Sequence, residues 1–202
     1  MGDINQRLFL ERAGLNIDGP ILEIGSKNHG GDKNHGGTEN FRSMFPDVHY
    51  VGIDIADGKG VDYVIDLTLP PPESILPPKS FGLVISCSVL EHVKKPWMMA
   101  EHMSSLLRKG GYLFISVPWV WRYHPYPDDY FRFSPNGVKE LFPEIAFLDM
   151  AYSTNIRDEF LDLEDGIEDV DGSMAEFKTA PSTGTSRKYL PYLMVNMVGR
   201  KI

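Results

Sequence analysis

The sequence predicts a doubly wound α/β domain whose mostly parallel sheet of seven strands is closed by an antiparallel last strand. Three observations carry this. An apolar run, Ile21-Leu22-Glu23-Ile24, ends abruptly in Gly25 after Gly19-Pro20 has broken what precedes it, the pattern of a buried strand entering a tight turn. Further β-branched and aromatic runs alternate with helical spacing, and the chain finishes on two strand-like runs, as a parallel sheet with an antiparallel edge requires. Open sheets of this kind bind ligands beyond the carboxyl ends of their strands, so a ligand is expected at the turn that starts at Gly25. The glycine-rich segment behind it lets backbone amides approach closely.

The 202 residues suffice for one domain with a sizeable core and fall short of two. A formal charge of -8 argues against a nucleic-acid partner, because that affinity rests on Lys and Arg neutralising phosphates. Cys87 is the only cysteine, which excludes an intrachain disulfide and a thiolate zinc cluster and suits a reducing interior. No apolar run reaches membrane-spanning length, and residues 1–12 are amphipathic rather than signal-like. The expectation is a cytoplasmic protein with no membrane partner.

In chain order, residues 4–13 set Ile4, Leu8 and Phe9 against Arg7, Glu11 and Arg12 at helical spacing. After the first strand comes a direct repeat, Lys27-Asn28-His29-Gly30-Gly31, then Asp32, then Lys33-Asn34-His35-Gly36-Gly37, read as a tandem duplication in a surface loop. A helix-like run follows at 38–45. Residues 48–55 and 61–67 are strands ending near Asp54 and Asp66, and the proline-rich stretch 70–78 is a connecting loop before a fourth strand at 81–86. Pro96 opens a helix with Met99, Ala100, Met103, Leu106 and Leu107 on one face. Arg108 and Lys109 supply cations for its last turn and Gly110-Gly111 a left-handed cap. A fifth strand, 112–117, is stopped by Pro118. An aromatic loop spans 119–133, and Ser134-Pro135 cap a helix through Phe142. Strands at 145–153 and 192–198 close the sheet around an insertion at 157–186, acidic at first and then rich in Ser, Thr, Gly and Pro.

This order of motifs resembles the class I S-adenosylmethionine-dependent methyltransferases over nearly the whole chain. Ile21-Leu22-Glu23-Ile24-Gly25 is similar to their first motif, and Gly52-Ile53-Asp54-Ile55 to the acidic end of their second strand. Phe81 to Ser86, Leu90-Glu91-His92-Val93, Leu106 to Gly111 and Ile115-Ser116-Val117-Pro118 match the middle of the family. The resemblance implies a Rossmann-like fold and S-adenosylmethionine as cofactor. One departure is Lys27, which stands where the family usually carries a second glycine.

The resemblance also implies roles. Gly25 and the amides from Ser26 onward would hold the methionine end, with Glu23 in the same motif. Asp54, beside Ile55, would accept the ribose hydroxyls, and Asp66 with the Leu67 amide would face the adenine edge. Ser86, Cys87 and Ser88 would line the lip where donor and acceptor meet. Each aspartate has an alternative as a loop or capping residue, and Cys87 is a poor nucleophile because methyl transfer is direct. His92, His124 and Asp129 are the catalytic candidates, titratable groups near the same edge that can deprotonate a hydroxyl. For residues 119–133 the alternative is a packed aromatic cluster with Asp128 paired to Arg132. No metal is assigned: His29, Asp32 and His35 are spaced for one, but copies made by a repeat read better as a neutral insertion. The acidic residues 158–171 read as a solvated face or a partner surface.

The expected activity is methyl transfer to oxygen or nitrogen of a small-molecule or saccharide-like acceptor, the loop at 119–133 being similar to one in methyltransferases of sugar and surface-glycan pathways. Two alternatives remain open here, an inactive cofactor-binding module and a nicotinamide oxidoreductase, the latter opposed by the absence of Gly-x-Gly-x-x-Gly after the first strand. Deleting residues 32–37 removes one copy of the repeat, so the thermal midpoint and cofactor affinity should change little. Loss of cofactor binding in the deletion variant would give the duplication a function.

Overall fold

The computed structural model describes residues 3–28, 41–125, 127–163 and 192–202. Helix α1 (Ile4–Arg12) precedes β1 (Ile21–Ile24), and a 3-10 helix (Phe41–Met44) leads to β2 (Tyr50–Asp54) and β3 (Tyr63–Val64). Then come β4 (Phe81–Cys87), a second 3-10 helix (Leu90–His92), α2 (Pro96–Leu106), β5 (Leu107–Trp121) and α3 (Pro135–Leu141). Strands β6 (Ile145–Ser153), β7 (Phe160–Asp162) and β8 (Tyr192–Lys201) complete one sheet of order β3-β2-β1-β4-β5-β8-β6-β7.

Strand β1 lies between β2 and β4, parallel to both, and β4 is parallel to β5, whereas β8 runs antiparallel to β5 and β6. The mostly parallel sheet with antiparallel closing strands is therefore as expected. Because the chain leaves β1 toward β2 on one side and returns to β4 on the other, the crevice beyond the carboxyl ends of β1 and β4 is the topological switch point. On one face Leu22 and Ile24 join Met99, Ala100, Met103 and Val138 under α2 and α3. On the other, Ile21 packs with Phe9, Leu10 and Phe41.

Several boundaries differ from the sequence pattern. The described residues form eight strands rather than seven, because Phe160–Asp162 inside the expected insertion pairs with β6. Arg12, bonded to Asp149 at 2.8 Å and to Asp162 at 2.7 Å, bridges these strands to α1. The third strand keeps only Tyr63 and Val64, both exposed on the sheet edge. Of the run 38–45, the described part forms only the 3-10 helix Phe41–Met44.

Helix α2 stops at Leu106, short of the expected glycine cap, because Leu107 already pairs with Phe81 in the sheet. Arg108 therefore does not serve the helix end; it donates to the Asp18 carbonyl at 2.6 Å. Gly110, at φ +75°, lies within β5 rather than at the helix end. Pro118 does not stop β5 either. Its missing N–H is absorbed by an irregularity in register between Pro118 and Val120, and its carbonyl accepts from Phe133 N at 3.0 Å.

In α1 the buried residues are Asn5, Gln6, Phe9 and Leu10, so two polar side chains were missed. Their burial is explained by hydrogen bonding. The Asp3 carboxylate accepts from Gln6 N at 2.9 Å and Gln6 Oε1 accepts from Asp3 N at 2.7 Å, a reciprocal capping box. Gln6 Nε2 then donates to Ser116 Oγ at 2.9 Å and to Ser88 Oγ at 3.2 Å. Ser116 Oγ donates to Asn196 Oδ1 at 2.8 Å, and Asn196 Nδ2 donates to Ser153 Oγ at 2.8 Å. This chain of side chains crosses β5, β8 and β6 with no exposed member. Cutting it should be expensive, since buried hydroxyls left without partners cost about 1–3 kcal/mol. Asn196→Ala should lower the unfolding free energy by about that amount in a denaturant titration.

Candidate functional site

Three exit loops meet at the carboxyl edge of β1, β4 and β5. After β1 the chain turns sharply: Gly25 has φ +75°, and a Cβ built there would sit 2.4 Å from Val89 Cγ2. Only glycine lets the loop after β4 close over this turn. Gly25 N and Ser26 N both donate to the Ile53 carbonyl, at 2.9 and 3.1 Å. Lys27, at the departure from the family pattern, lays its alkyl chain against Gly58, and Asn28 N donates to the Lys59 carbonyl at 2.8 Å. The segment after the turn thus follows the loop between β2 and β3.

Asp54, at the end of β2, accepts from Lys27 N at 3.2 Å and from Ala56 N at 3.0 Å, so one carboxylate ties together two loops at the switch point. Ile55 beside it is 62% exposed. Asp66 accepts from both Thr68 N and Thr68 Oγ, at 2.9 and 2.7 Å, and the Leu67 carbonyl lies 2.8 Å from His102 Nδ1. Glu23 points into the sheet, where Tyr50 donates its phenolic O–H at 2.8 Å and burial raises the carboxyl above its ordinary range. Burial likewise pushes the Cys87 thiol well above its usual value, which leaves little thiolate and agrees with its rejection as a nucleophile. The three small residues at the lip differ: Ser86 and Cys87 are buried, while Ser88 is held at φ +54°. Among the described residues, Ser26 Oγ and Ser86 Oγ are buried with no hydrogen-bond partner. Ser26 follows β1 with its hydroxyl against Gly52 of β2, and Ser86 lies near the end of β4, so both are close to the strand ends that border the switch point.

The loop after β5 reaches the same place. Tyr130 N and Phe131 N donate to the Glu91 carbonyl at 2.8 and 3.2 Å, which pins this loop to the one after β4. Arg132 forms a two-pronged ion pair with Asp129, at 2.5 and 2.7 Å, and also donates to the carbonyls of Trp121, Arg122 and Phe131. The alternative reading of this loop paired Arg132 with Asp128; instead the Asp128 carboxylate accepts from Tyr130 Oη at 2.7 Å. The guanidinium holds Asp129 far below the usual carboxylate range, which makes it a weak base. Its second oxygen accepts from His124 N at 2.9 Å and lies 3.3 Å from His124 Nδ1, and the His124 ring stacks on Trp121 with centroids 4.5 Å apart. Asp129 therefore orients His124.

His92 and His124 converge on Glu91. The Glu91 side chain is fully buried, its oxygens have no hydrogen-bond partner among the described residues, and burial pushes the carboxyl up to about 7. Glu91 Oε1 lies 3.8 Å from His92 Nε2 and 3.9 Å from His124 Nε2, and the two rings meet edge to face at 4.9 Å. Desolvation lowers His92, which favours its neutral ring. The sequence named both histidines but gave Glu91 no catalytic part, and only a local Glu-His pair signalled it. His29, Asp32 and His35 lie outside the described residues, as does 164–171 of the acidic run.

The comparisons with known proteins agree on what this architecture is. No curated protein matches the chain in sequence. Solved structures do match in fold. A SAM-dependent methyltransferase from Archaeoglobus fulgidus has a TM-score of 0.60 at 14% identity, covering 98% of this chain and 93% of its own. The N-methyltransferase NodS of Bradyrhizobium japonicum, in complex with S-adenosylhomocysteine, has a TM-score of 0.57 at 12% identity, covering 98% and 84%. The 1,6-didemethyltoxoflavin-N1-methyltransferase of Burkholderia thailandensis, bound to 1,6-didemethyltoxoflavin and S-adenosylhomocysteine, has a TM-score of 0.58 at 10% identity, covering 97% and 76%. The methyltransferase domain family matches residues 4–152, and with that match the chain belongs to this family, as an S-adenosylmethionine-dependent methyltransferase.

Proposed function

We propose that this enzyme transfers a methyl group to oxygen or nitrogen of a small-molecule or saccharide-like acceptor, whose reacting group meets Glu91, His92 and His124. The observation that carries the reading is the convergence of these three side chains at the carboxyl edge, near Ser26 and Ser86, whose buried hydroxyls have no partner among the described residues. Cofactor and acceptor ends would then adjoin, as in-line transfer requires. The formal charge of -8 supports an acceptor other than a nucleic acid. Among fold neighbours, the Burkholderia enzyme was solved with a small acceptor bound. No helix among the described residues is long and apolar enough to cross a membrane.

The residues fit the cofactor. Gly25, Ser26 and Ser86 would hold its methionine end, where two buried hydroxyls lack partners among the described residues. Asp54 has a lone pair left on each oxygen for the ribose, with Ile55 alongside it and Asp66 and Leu67 toward the adenine. Glu23 and Cys87 are buried behind this edge and shape it. When bound, S-adenosylmethionine supplies an already activated methyl group, so the protein's task is mostly alignment. His92 and His124 contact the acceptor, and Asp129 with Arg132 holds His124 in place.

Binding and turnover should separate. Asp54→Ala should weaken S-adenosylhomocysteine binding by about 1.5–3 kcal/mol through loss of a charged acceptor, measured by titration calorimetry. His124→Ala should keep that affinity within a few-fold yet lower methyl transfer by roughly a hundredfold, read on a panel of sugars, phenols and amines. Full activity in His124→Ala would remove the cluster from the acceptor site.

A further inference from the structure

We propose that Glu91, His92 and His124 form a binding site for a divalent transition-metal cation, through Glu91 Oε1 and the Nε2 atoms of the two histidines. One ligand atom from each residue lies within 4.8 Å of the others. The hydrogen bonds on the far side of each ring decide what these atoms are. His92 Nδ1 is 2.5 Å from the Asp128 carbonyl oxygen, which only accepts, so in the neutral ring Nδ1 carries the hydrogen and Nε2 a lone pair. His124 Nδ1 faces two acceptors, the Arg122 carbonyl at 3.2 Å and Asp129 Oδ2 at 3.3 Å, with the same result. Three lone-pair atoms therefore point at one another.

A proton does not resolve this. The separations from Glu91 Oε1, 3.8 and 3.9 Å, exceed hydrogen-bond length, and both oxygens of the fully buried carboxylate lack a partner among the described residues. A cation does. Zinc bonds of about 2.1 Å place tetrahedral ligands roughly 3.4 Å apart, so the two shorter separations need to close by only about 0.5 Å. The widest, at most 4.8 Å, needs to close by about 1.4 Å.

The surroundings are those of a metal centre as well. Metal-bound histidines usually donate their other N–H to a carbonyl or carboxylate, and both do so here. Arg132 keeps Asp129 charged for that purpose. Two imidazoles and one carboxylate select zinc, iron, cobalt or manganese over magnesium and calcium. Three protein ligands also leave coordination positions for water or an acceptor oxygen, the mark of a catalytic site rather than a structural one. That the cation receives the acceptor rests on the methyltransferase reading above; cation binding itself does not.

The test uses the whole chain after dialysis against a chelator, titrated calorimetrically with zinc chloride and spectroscopically with cobalt chloride. One cation should bind per chain, with a visible cobalt spectrum of nitrogen and oxygen ligands. Glu91→Gln and His124→Ala should each weaken zinc binding by roughly a hundredfold, while both keep the native circular dichroism spectrum. The double variant His29→Ala, His35→Ala should bind zinc normally. No zinc binding by the unmutated protein, or binding that either Glu91→Gln or His124→Ala leaves within threefold, overturns the site. S-adenosylhomocysteine titrated into the same preparations tests the cofactor reading independently, so the two can fail separately.

Discussion

A carboxylate removed from water without a hydrogen bond is among the costliest groups a fold can carry, and among the described residues Glu91 is in that position at the mouth of this sheet. Burial raises the carboxyl to about 7, because the loops around it exclude the water that would stabilise its charge. Its own backbone carbonyl recruits one of them through Tyr130 and Phe131. The Asp129–Arg132 fork holds that loop in shape and brings His124 to the carboxylate. His92 comes with Glu91 on the same 3-10 helix. Such groups are found where chemistry uses them, since a structural role would be served better by an apolar side chain.

The scaffold behind the site divides its work. The parallel half, β3 to β5, places the exits of β1, β2 and β4 side by side, which is what a nucleoside cofactor needs. The antiparallel half is held by side chains as well as by its ladders. The Gln6–Ser116–Asn196–Ser153 chain runs under α1, and its branch to Ser88 reaches the lip of the site. Rigid strands thus support a site whose titratable side chains come from the 3-10 helix after β4 and the loop after β5.

Much of this was legible in the sequence because it depended on local signals. The run ending in Gly25, Pro96 at a helix start and the Ser134-Pro135 cap each specify their element with a few adjacent residues. What was misread depended on distant partners. Leu107 leaves the helical pattern because Phe81 offers it a sheet position, and β5 runs past Pro118 because β8 carries the ladder onward through Trp121. The three-residue β7 has no pattern long enough to be seen. At the site, His92 and His124 were visible as titratable residues near the right edge. Their meeting at Glu91, and the choice of Asp129 over Asp128 by Arg132, follow from loop geometry that no spacing encodes.

The central claim is that cofactor and acceptor ends meet between the β1 turn and the Glu91 cluster. A crystal structure with S-adenosylhomocysteine, with anomalous data at the zinc edge from crystals grown with zinc, tests it most directly. The account predicts the methionine end against Gly25, Ser26 and Ser86, the ribose on Asp54, and the sulfur facing Glu91, His92 and His124 with room for one acceptor atom, with an anomalous peak among those three residues. A ligand bound elsewhere, or a sulfur turned away from the cluster, would contradict it.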